Sequence, residues 1–281
     1  MSAAKFFPEW EKMTVREVRE YLAKRKSAIL PLGVTEQHGY HLPTCTDALL
    51  AREVCKRVGA RAGIIVAPTI NMSFSGGQLP GTININPNVM GLLVGEVLRS
   101  LAVQGVRNIF VVLGHGGSEN LRALDNTLKL LLRDDPAFRE VMICFCPYWR
   151  YFKEFQEGFK KKDWHAGYVE TGLMLAVAPE LVQMEKLALD TPALVKIMRN
   201  HPDNYQFAMK PVDDEVVVPR MAQRPDIRVG VMGDPQLASR QFGERAVKSG
   251  VAKMAKHFAQ LEKSRSRTYR KVKWTPEPIV V

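Results

Sequence analysis

Cysteine is scarce in this chain, which has only 4 among 281 residues. This scarcity excludes the small disulfide-stapled secreted domains, which carry many cysteines at regular spacings. Cys144 and Cys146 stand two apart in the apolar run VMICFCP, so on a strand both side chains would lie on one face. We expect them to pack in the core rather than to bind a metal as a CxC pair. We also expect Cys45 to be a small buried thiol.

Long apolar runs are also missing. No stretch approaches the roughly 20 apolar residues of a membrane-spanning helix. The N-terminal sequence MSAAKFFPEWEKM lacks the basic-then-apolar pattern of a secretory signal. We therefore predict a cytoplasmic protein with no membrane partner. The composition, 46% hydrophobic and 25% charged, suits a globular chain with a sizeable core. We predict a main domain, residues 1–262, followed by a basic tail, residues 263–281.

Acidic residues are outnumbered, because 40 Lys and Arg face 29 Asp and Glu, a formal net charge of +11. Much of the excess collects in KSRSRTYRKVKW, Lys263 to Trp274. Such a patch can attract nucleic acid, anionic lipid or an acidic partner. No nucleic-acid-binding motif accompanies it. We therefore expect a solvated tail, or one that lies on a neighbouring subunit, and no nucleic-acid partner.

Short apolar runs alternate with helical patterns along most of the chain. After a helix that begins near Thr14, the apolar runs predict buried strands at Ala28–Leu32, Gly63–Ala67, Asn108–Leu113 and Val141–Cys146. Helices are expected near residues 48–58, 88–104, 171–178 and 236–263, and another begins near residue 118. This alternation predicts an α/β fold with a mainly parallel sheet and helices on both faces.

Four potential metal ligands are concentrated in TEQHGYHLPTCTD, Thr35 to Asp47, directly after the first predicted strand. They are Glu36, His38, His41 and Asp47. Carboxylates and imidazoles are costly to bury together unless a positive charge holds them. Neutral imidazole and ionised carboxylate are both ligands for zinc and similar cations. The alternative is a polar turn in which Asp47 only caps the next helix.

Two further stretches place ligand types beside apolar runs. His115 lies in GHGGSEN, directly after the third predicted strand, and ligands of parallel sheets sit beyond the carboxyl ends of the strands. His165 and Glu170 lie in DWHAGYVET, at the start of an apolar helix. Five residues apart on a helix, they would point about 140° apart. Both can face one site only if His165 lies in the turn before the helix.

The chain between residues 201 and 228 is rich in proline and charge, and we interpret it as an excursion or a subunit contact. His201 lies there beside Pro202, and we expect it at the surface. We expect His257, within the last predicted helix, at the surface or between helices.

Five motifs carry a resemblance to a known family. TEQHGYHLPTCTD, LPGTI, GHGG, HAGYVET and GVMGDP occur in the order and approximate spacing of the creatininase (creatinine amidohydrolase) family. The chain resembles that family over most of residues 28–245. The resemblance implies an α/β fold, a dinuclear metal site that activates water for hydrolysis, and a homo-oligomer, commonly a hexamer. It also implies a ligand set in which Asp47 bridges the metals: Glu36, His38, Asp47, His115 and Glu170.

The chain departs from the family pattern in places. Many relatives have a histidine just before the PGT turn, where this chain has SGGQL. Creatininase has a glutamate directly before the HAG histidine, where this chain has Trp164, which argues against creatinine as substrate. Creatininase also uses a glutamate shortly after the GH histidine, so Glu119 is an alternative to Glu170. We favour Glu170, because in relatives with GHGG the ET motif supplies the acid.

The residues also suggest how the chemistry would be divided. Two cations that share Asp47 would lower the pKa of a bridging water and supply hydroxide near neutral pH. We expect His165 to move a proton to the leaving group. His41 would either orient a metal-binding carboxylate or lie exposed in the loop. We expect two divalent ions per chain, zinc first, with manganese and iron also compatible with such ligands.

Our leading hypothesis is a metal-dependent hydrolase that cleaves an amide C–N bond in a small polar substrate, with a cyclic one favoured. The alternative is hydrolytic ring opening of a cyclic polyol ketone, for example a dehydro-inosose, because some relatives cleave C–C bonds at similar sites. The third hypothesis is of a different class: a catalytically silent metal-binding protein, or a scaffold that binds anions through its basic tail. Stoichiometric metal would separate the hydrolase from a scaffold that needs none.

Overall fold

A four-stranded parallel sheet forms the centre of the protein, a computed structural model that describes residues 9–266 and 268–275. The strands are β1 (Ser27–Leu32), β2 (Ile65–Val66), β3 (Asn108–Leu113) and β4 (Met142–Pro147), in the spatial order β2-β1-β3-β4. Strands β1 and β3 pair in register over their full length, from Ser27 opposite Asn108 to Leu32 opposite Leu113. The predicted parallel sheet is therefore confirmed, although β2 is shorter than predicted.

The part of the chain that the structure describes contains eight α-helices. They are α1 (Val15–Lys24), α2 (Thr46–Ala62), α3 (Pro87–Val103), α4 (Ser118–Asp134), α5 (Lys153–Lys160), α6 (Tyr168–Val177), α7 (Pro192–Asn200) and α8 (Arg240–Ser264). Helix α1 begins with the expected capping box, in which Thr14 and Glu17 bond each other's backbone amides. The sequence did not predict α5 or α7.

Helices cover both faces of the sheet, as predicted. Side chains alternate along each strand, so Ile29 and Phe110 pack against α2, α6 and α8 on one face. Leu30 and Val111 point the other way and pack against α3 and α4. Because both faces are buried, the central strands are continuous apolar runs.

The chain leaves β1 and β3 in opposite directions. Helix α2 follows β1 on one face, whereas α4 follows β3 on the other. The two loops, residues 33–45 and 114–117, therefore diverge at the carboxyl edge of the sheet. Such a point of divergence between neighbouring parallel strands leaves a crevice where ligands bind. Both loops carry predicted ligands.

Several element boundaries differ from the predicted ones. Helix α2 begins at Thr46, with Cys45 at its N-cap, so Asp47 lies inside the first turn and does not cap the helix. Helix α8 begins at Arg240 because Pro235–Leu237 form a separate 3-10 turn, and the Ser239 side chain accepts the amide of Phe242. Its last residue, Ser264, lies just past the predicted domain boundary at 262, which stays a prediction.

The excursion after α7 contains a hairpin of β5 (Gln206–Met209) and β6 (Arg220–Gln223). His201, at its start, is 63% exposed, as expected for a surface residue. His257 of α8 is half-buried and contacts the Tyr151 hydroxyl through Nδ1 at 2.9 Å. It therefore lies between α8 and the segment that follows β4.

All four cysteines are free thiols, which agrees with the absence of a disulfide framework. Cys146 is buried, and Cys144 is half-buried against the same core. Cys45 is half-buried rather than buried, because it lies at the start of α2.

In the basic tail, the Tyr269 hydroxyl donates to the carbonyl of Val141, while Arg267 and residues 276–281 lie outside the described residues. Among the residues that the structure describes, no helix combines the length and the apolar character needed to cross a bilayer.

Candidate metal centre

Glu36 enters the crevice from the loop after β1. Its backbone amide donates to the carbonyl of Thr44 at 2.9 Å, which closes the loop on itself. The Ser75 hydroxyl donates to Oε1 of the carboxylate, and this leaves Oε2, buried, without a hydrogen-bond partner among the described residues. Ser75 was not predicted as a site residue, although it belongs to the SGGQL segment that departs from the family pattern.

His38 lies fully buried two residues later. Its Nδ1 is 3.0 Å from the carbonyl oxygen of Glu36, an acceptor only, so Nδ1 carries the proton. In the neutral ring the lone pair is then on Nε2, which lies 3.2 Å from Oδ1 of Asp47 and 3.9 Å from Oε2 of Glu170. A backbone carbonyl that fixes the tautomer in this way is the usual arrangement behind a metal-binding histidine.

Asp47 is the side chain that the rest of the cluster shares. It is 2% exposed, and the first turn of α2 points it into the crevice. While Oδ1 faces His38, Oδ2 lies 3.0 Å from Nδ1 of His115. The same Nδ1 is 3.1 Å from Oε2 of Glu36. The two oxygens of one carboxylate therefore join two sets of ligand types.

His165 lies in the turn before α6, which is the placement that the sequence required for it to share a site with Glu170. A left-handed residue, Ala166 (φ 51°), makes the turn, and its amide donates to Oε2 of Glu170 at 2.6 Å. The buried Asp163 fixes the turn, since its carboxylate accepts the amides of Tyr168 and Val169 at the start of α6. Asp163 was not predicted as a site residue.

The orientation of the His165 ring follows from Gln37. Nε2 of the ring lies 2.8 Å from the backbone carbonyl of Gln37, so it donates its proton there. The Gln37 side-chain oxygen accepts the amide of Gly39, so the Gln37 NH₂ group faces Nε2 of the ring. Because both nitrogens are donors, they are in contact without a hydrogen bond. The ring's other nitrogen, Nδ1, then carries the lone pair and lies 3.9 Å from Oε2 of Glu36.

Three overlapping groups of ligand atoms, each within 4.8 Å, result from this arrangement. They are Glu36, His38 and His165; Glu36, Asp47 and His115; and His38, Asp47 and Glu170. Glu36 Oε2, His38 Nε2 and His115 Nε2 are buried without hydrogen-bond partners among the described residues. Buried polar atoms without partners are costly. Divalent cations fit this donor set, which combines imidazole nitrogens with carboxylate oxygens.

Neighbouring charges shift the pKa values of these side chains strongly. Burial lowers the pKa of His38, but Asp47 and then Glu170 outweigh it and raise that pKa to about 10. Burial raises the pKa values of Glu36 and Asp47, but the neighbouring histidines outweigh it and lower both. The pKa of His115 is raised well above its usual range, because Glu36 and Asp47 outweigh its burial.

Glu170 and His165 shift towards their neutral forms. Burial raises the pKa of Glu170 to about 7, although His38 acts against this shift. Burial, reinforced by His38, lowers the pKa of His165 to about 4. A neutral His165 is consistent with its single donated hydrogen bond to Gln37 and with a free lone pair on Nδ1.

The alternative ligand Glu119 lies elsewhere. It is half-buried in the first turn of α4, and its carboxylate accepts the Ser118 hydroxyl at 3.1 Å. Of the ligand-type clusters among the described residues, none contains Glu119.

His41 corrects both of our expectations. It is fully buried, and its Nε2 contacts the Thr171 hydroxyl at 3.0 Å. It is therefore neither exposed nor hydrogen-bonded to one of the clustered carboxylates.

A cavity of about 300 Å³ opens above the ligand groups. The two segments that depart from the family pattern contribute to it through Ser75, Leu79 and Trp164. Tyr205 and Gln223, from the excursion after α7, complete one side. Periodicity alone gave no signal for these two, because their positions depend on how the excursion folds back over the sheet.

Comparison with known proteins gives a consistent result. The sequence model described as "Creatininase: Creatinine amidohydrolase" matches residues 11–258. Creatinine amidohydrolase of Pseudomonas putida is 29% identical over 233 residues, which cover 77% of this chain and 82% of that protein. Mycofactocin precursor peptide peptidase of Mycobacterium ulcerans is 29% identical over 264 residues, covering 90% and 87%. A 3-dehydro-scyllo-inosose hydrolase of Thermotoga maritima is 27% identical over 188 residues, covering 65% and 60%.

Solved structures agree with these matches. A crystal structure of creatininase superposes with a TM-score of 0.72 at 26% identity, covering 92% of this chain and 99% of that one. Similar structures include a manganese creatininase and a zinc–zinc form of a creatininase mutant.

Proposed function

This chain belongs to the creatininase family of hydrolases, and from that premise we propose that it is a dinuclear-metal amidohydrolase. The observation that carries the proposal is the shared carboxylate of Asp47, with one oxygen towards His38 and the other towards His115. A carboxylate between two sets of ligands is what two neighbouring cations need as a bridge. A scaffold that binds no metal would gain nothing from burying these charges together.

We propose the ligand set Glu36, His38, Asp47, His115 and Glu170, which exceeds what one tetrahedral cation requires. One cation would take Glu36, Asp47 and His115, and the other His38, Asp47 and Glu170. Bound there, divalent cations would supply hydroxide near neutral pH and polarise the substrate carbonyl. Zinc is the first expectation, and the manganese and zinc forms of similar creatininases support divalent metal without separating the two.

His165 is the residue that we propose for proton transfer to the leaving group. Its Nδ1 lone pair faces the ligand cluster, while Gln37 holds Nε2 and so keeps the ring in one orientation. A fixed, neutral imidazole beside the reacting atoms can accept a proton and pass it on. Nδ1 also lies near Glu36 and His38, so metal binding by His165 is the competing role.

Amide hydrolysis is favoured over ring opening of a polyol ketone by the character of the cavity. A polyol needs many hydrogen-bond partners, whereas much of the lining is aromatic or aliphatic, with Trp149, Phe159 and Ile227 as examples. Two of the relatives above are named for amide chemistry, a creatinine amidohydrolase and a peptide peptidase. We therefore place this chain with amide substrates rather than with the inosose.

We also propose a homo-oligomer, without fixing its size. Three large side chains near the start of α3 are exposed, Val89 at 55%, Leu92 at 71% and Leu93 at 41%. Exposed apolar patches of this kind mark interaction surfaces. Light scattering should give a mass that is a multiple of the 31.6 kDa chain, and Leu92→Glu should lower it. A monomer at every concentration would contradict the proposal.

The decisive experiment compares metal content and amide hydrolysis in one preparation. Protein purified without chelator should contain about two divalent ions per chain, and stripping them should abolish hydrolysis until zinc or manganese is returned. Asp47→Asn should lose both ions and activity. The matched control Asp125→Asn, at a half-exposed position on α4 away from the cluster, should keep both. Absence of metal after reconstitution, or full activity in Asp47→Asn, would overturn the proposal.

A further inference from the structure

The cavity above the ligand groups has a continuous aromatic wall. Trp149, Phe155, Phe159 and Trp164 all line it, and neighbouring rings touch in series. Ring centroids are 6.2 Å apart for Trp149 and Phe155, 5.8 Å for Phe155 and Phe159, and 5.2 Å for Phe159 and Trp164. The last pair is stacked, with 24° between the planes.

This aromatic wall spans the distance between two histidines of the candidate metal centre. At one end, the Trp149 ring packs over Gly116, where an added Cβ would lie 3.4 Å from it, and Gly116 directly follows His115. At the other end, Trp164 directly precedes His165. A substrate whose carbonyl lies at the ligand groups therefore has rings beside it along one side of the cavity.

The wall presents ring surface rather than polar groups. The indole N–H of Trp164 donates to the carbonyl of Arg199 at 3.0 Å, so its hydrogen-bonding capacity is used outside the cavity. Phe155 and Phe159 have no polar atoms. Leu79, Ile227 and Met232 make other parts of the lining aliphatic. Aromatic side chains hold a ligand ring by offset or edge-to-face packing.

The charges of the cavity argue against an anionic substrate. The chain has 40 lysines and arginines, yet none is among the described residues that line the cavity. Four carboxylates line the cavity: Glu36, Asp47 and Glu170, whose charge the proposed cations would balance, and Asp203, which lies outside the ligand set. The bound cations would attract a carboxylate only at the ligand groups, where the scissile carbonyl lies, whereas a carboxylate on the ring would find no lysine or arginine to pair with on the wall. At roughly 30 Å³ per water-sized group, the volume of about 300 Å³ suits a ring joined to an amide.

We propose that this site selects neutral carboxamides that carry an aromatic ring next to the scissile carbonyl, rather than small polar heterocycles. The inference rests on the proposed amide hydrolysis and adds its substrate class. The ring would pack on the wall of Trp149, Phe155, Phe159 and Trp164 while the carbonyl lies at the ligand groups. In the reaction, water adds its oxygen to the carbonyl carbon, the C–N bond breaks, and the nitrogen leaves with a proton as ammonia.

The test uses the zinc-loaded full-length protein and four probes that differ in one property each. Phenylacetamide has the ring, acetamide lacks it, 4-carboxyphenylacetamide adds a negative charge, and creatinine is a small heterocycle. We expect kcat/KM for phenylacetamide to exceed that for acetamide by about 100-fold, since buried ring surface distinguishes them. The carboxylated probe should fall at least about tenfold below phenylacetamide.

Variants connect the preference to the wall. Phe159→Ala should lower the ratio of phenylacetamide to acetamide kcat/KM by about tenfold or more, and Phe159→Leu by less, because a leucine keeps apolar contact. The control Tyr269→Ala, an exposed aromatic of the tail, should leave the ratio unchanged. Binding of benzyl methyl ketone, which keeps the ring and carbonyl but has no C–N bond, should quench tryptophan fluorescence and weaken in Phe159→Ala.

Each outcome separates the two proposals. Turnover of acetamide or creatinine equal to or better than phenylacetamide overturns the substrate class and leaves amide hydrolysis standing. An unchanged ratio in a folded Phe159→Ala also overturns it. If no amide is hydrolysed although the ketone binds at the wall, the amidohydrolase proposal fails while recognition of the ring stands.

Discussion

The close crossing of α6 and α8 can be tested with a single methyl group. A Cβ on Gly243 of α8 would lie 1.7 Å from the carbonyl oxygen of Gly172 in α6, half the 3.4 Å at which ordinary contact begins. The obstacle is backbone, so no side-chain rotation relieves it. Because α6 also carries Glu170, pushing the helices apart should displace a proposed metal ligand as well as disturb the core.

The expected magnitude follows from two opposing effects. Alanine in place of glycine inside a helix is favourable by about 1 kcal/mol. Overpacking typically costs about 1–3 kcal/mol and more against a rigid neighbour. We therefore expect Gly243→Ala to lower the free energy of unfolding by about 2 kcal/mol. At about 2–4 °C per kcal/mol for a chain of this size, Tm should fall by about 4–8 °C.

Gly95→Ala in α3 is the matched control. There an added Cβ would lie 3.8 Å from the Leu131 methyl carbons, which is ordinary contact, so the helix preference should prevail. Its Tm should rise by about 1–4 °C, from a gain of about 0.5–1 kcal/mol. Calorimetry at fixed metal concentration, with elemental analysis of each sample, measures both effects, since bound metal itself raises Tm. A Gly243→Ala protein that melts at or above the wild-type temperature would refute the reasoning.

Four further predictions concern the site and the tail. Glu170→Gln should lose one metal and most activity, whereas Glu119→Gln should keep both metals by elemental analysis; the reverse result would move the ligand to α4. His165→Ala should keep both metals and the fold but lose about 10²- to 10⁴-fold in kcat; loss of a metal would make His165 a ligand instead. In metal-free protein, the charged His38 should contribute fully to the free energy of unfolding below pH 6.5, and this contribution should be lost as pH rises towards its pKa of about 10. A urea midpoint that does not decrease when pH is raised from 7 to 9 would contradict this. Deleting residues 263–281 should leave turnover per folded subunit unchanged, and neither the intact nor the shortened chain should bind nucleic acid tightly at physiological salt. Tight, salt-sensitive binding by the intact chain would assign the tail to nucleic acid.

The sequence by itself determined the architecture and the kind of site. Buried strands such as Asn108–Leu113 are continuous apolar runs, and helices of 3.6-residue period separate them, so a parallel α/β sheet followed from local pattern alone. The residue types that follow β1 and β3 had to meet at one edge, because parallel strands end at the same edge. This is why a metal site could be predicted at that edge without coordinates, whereas the family resemblance rested on five sequence motifs.

Only the tertiary structure decided which atoms meet. That Asp47 offers one oxygen to His38 and the other to His115 depends on the angle at which α2 leaves the loop, which no local pattern encodes. His41 is buried against Thr171, 130 residues away along the chain. The sequence could not show this contact, and it suggested either a histidine that orients a carboxylate or an exposed loop histidine.

The shape of the cavity depended on contacts of the same long-range kind. Phe159 of α5 joins Trp149 and Trp164 in one wall only because α5 packs between their two segments, and the sequence did not predict that helix. Similarly, Tyr205 reaches the cavity because the excursion after α7 folds back over the edge of the sheet. Side-chain type and period are local properties, whereas substrate shape is set by packing between segments far apart in the chain.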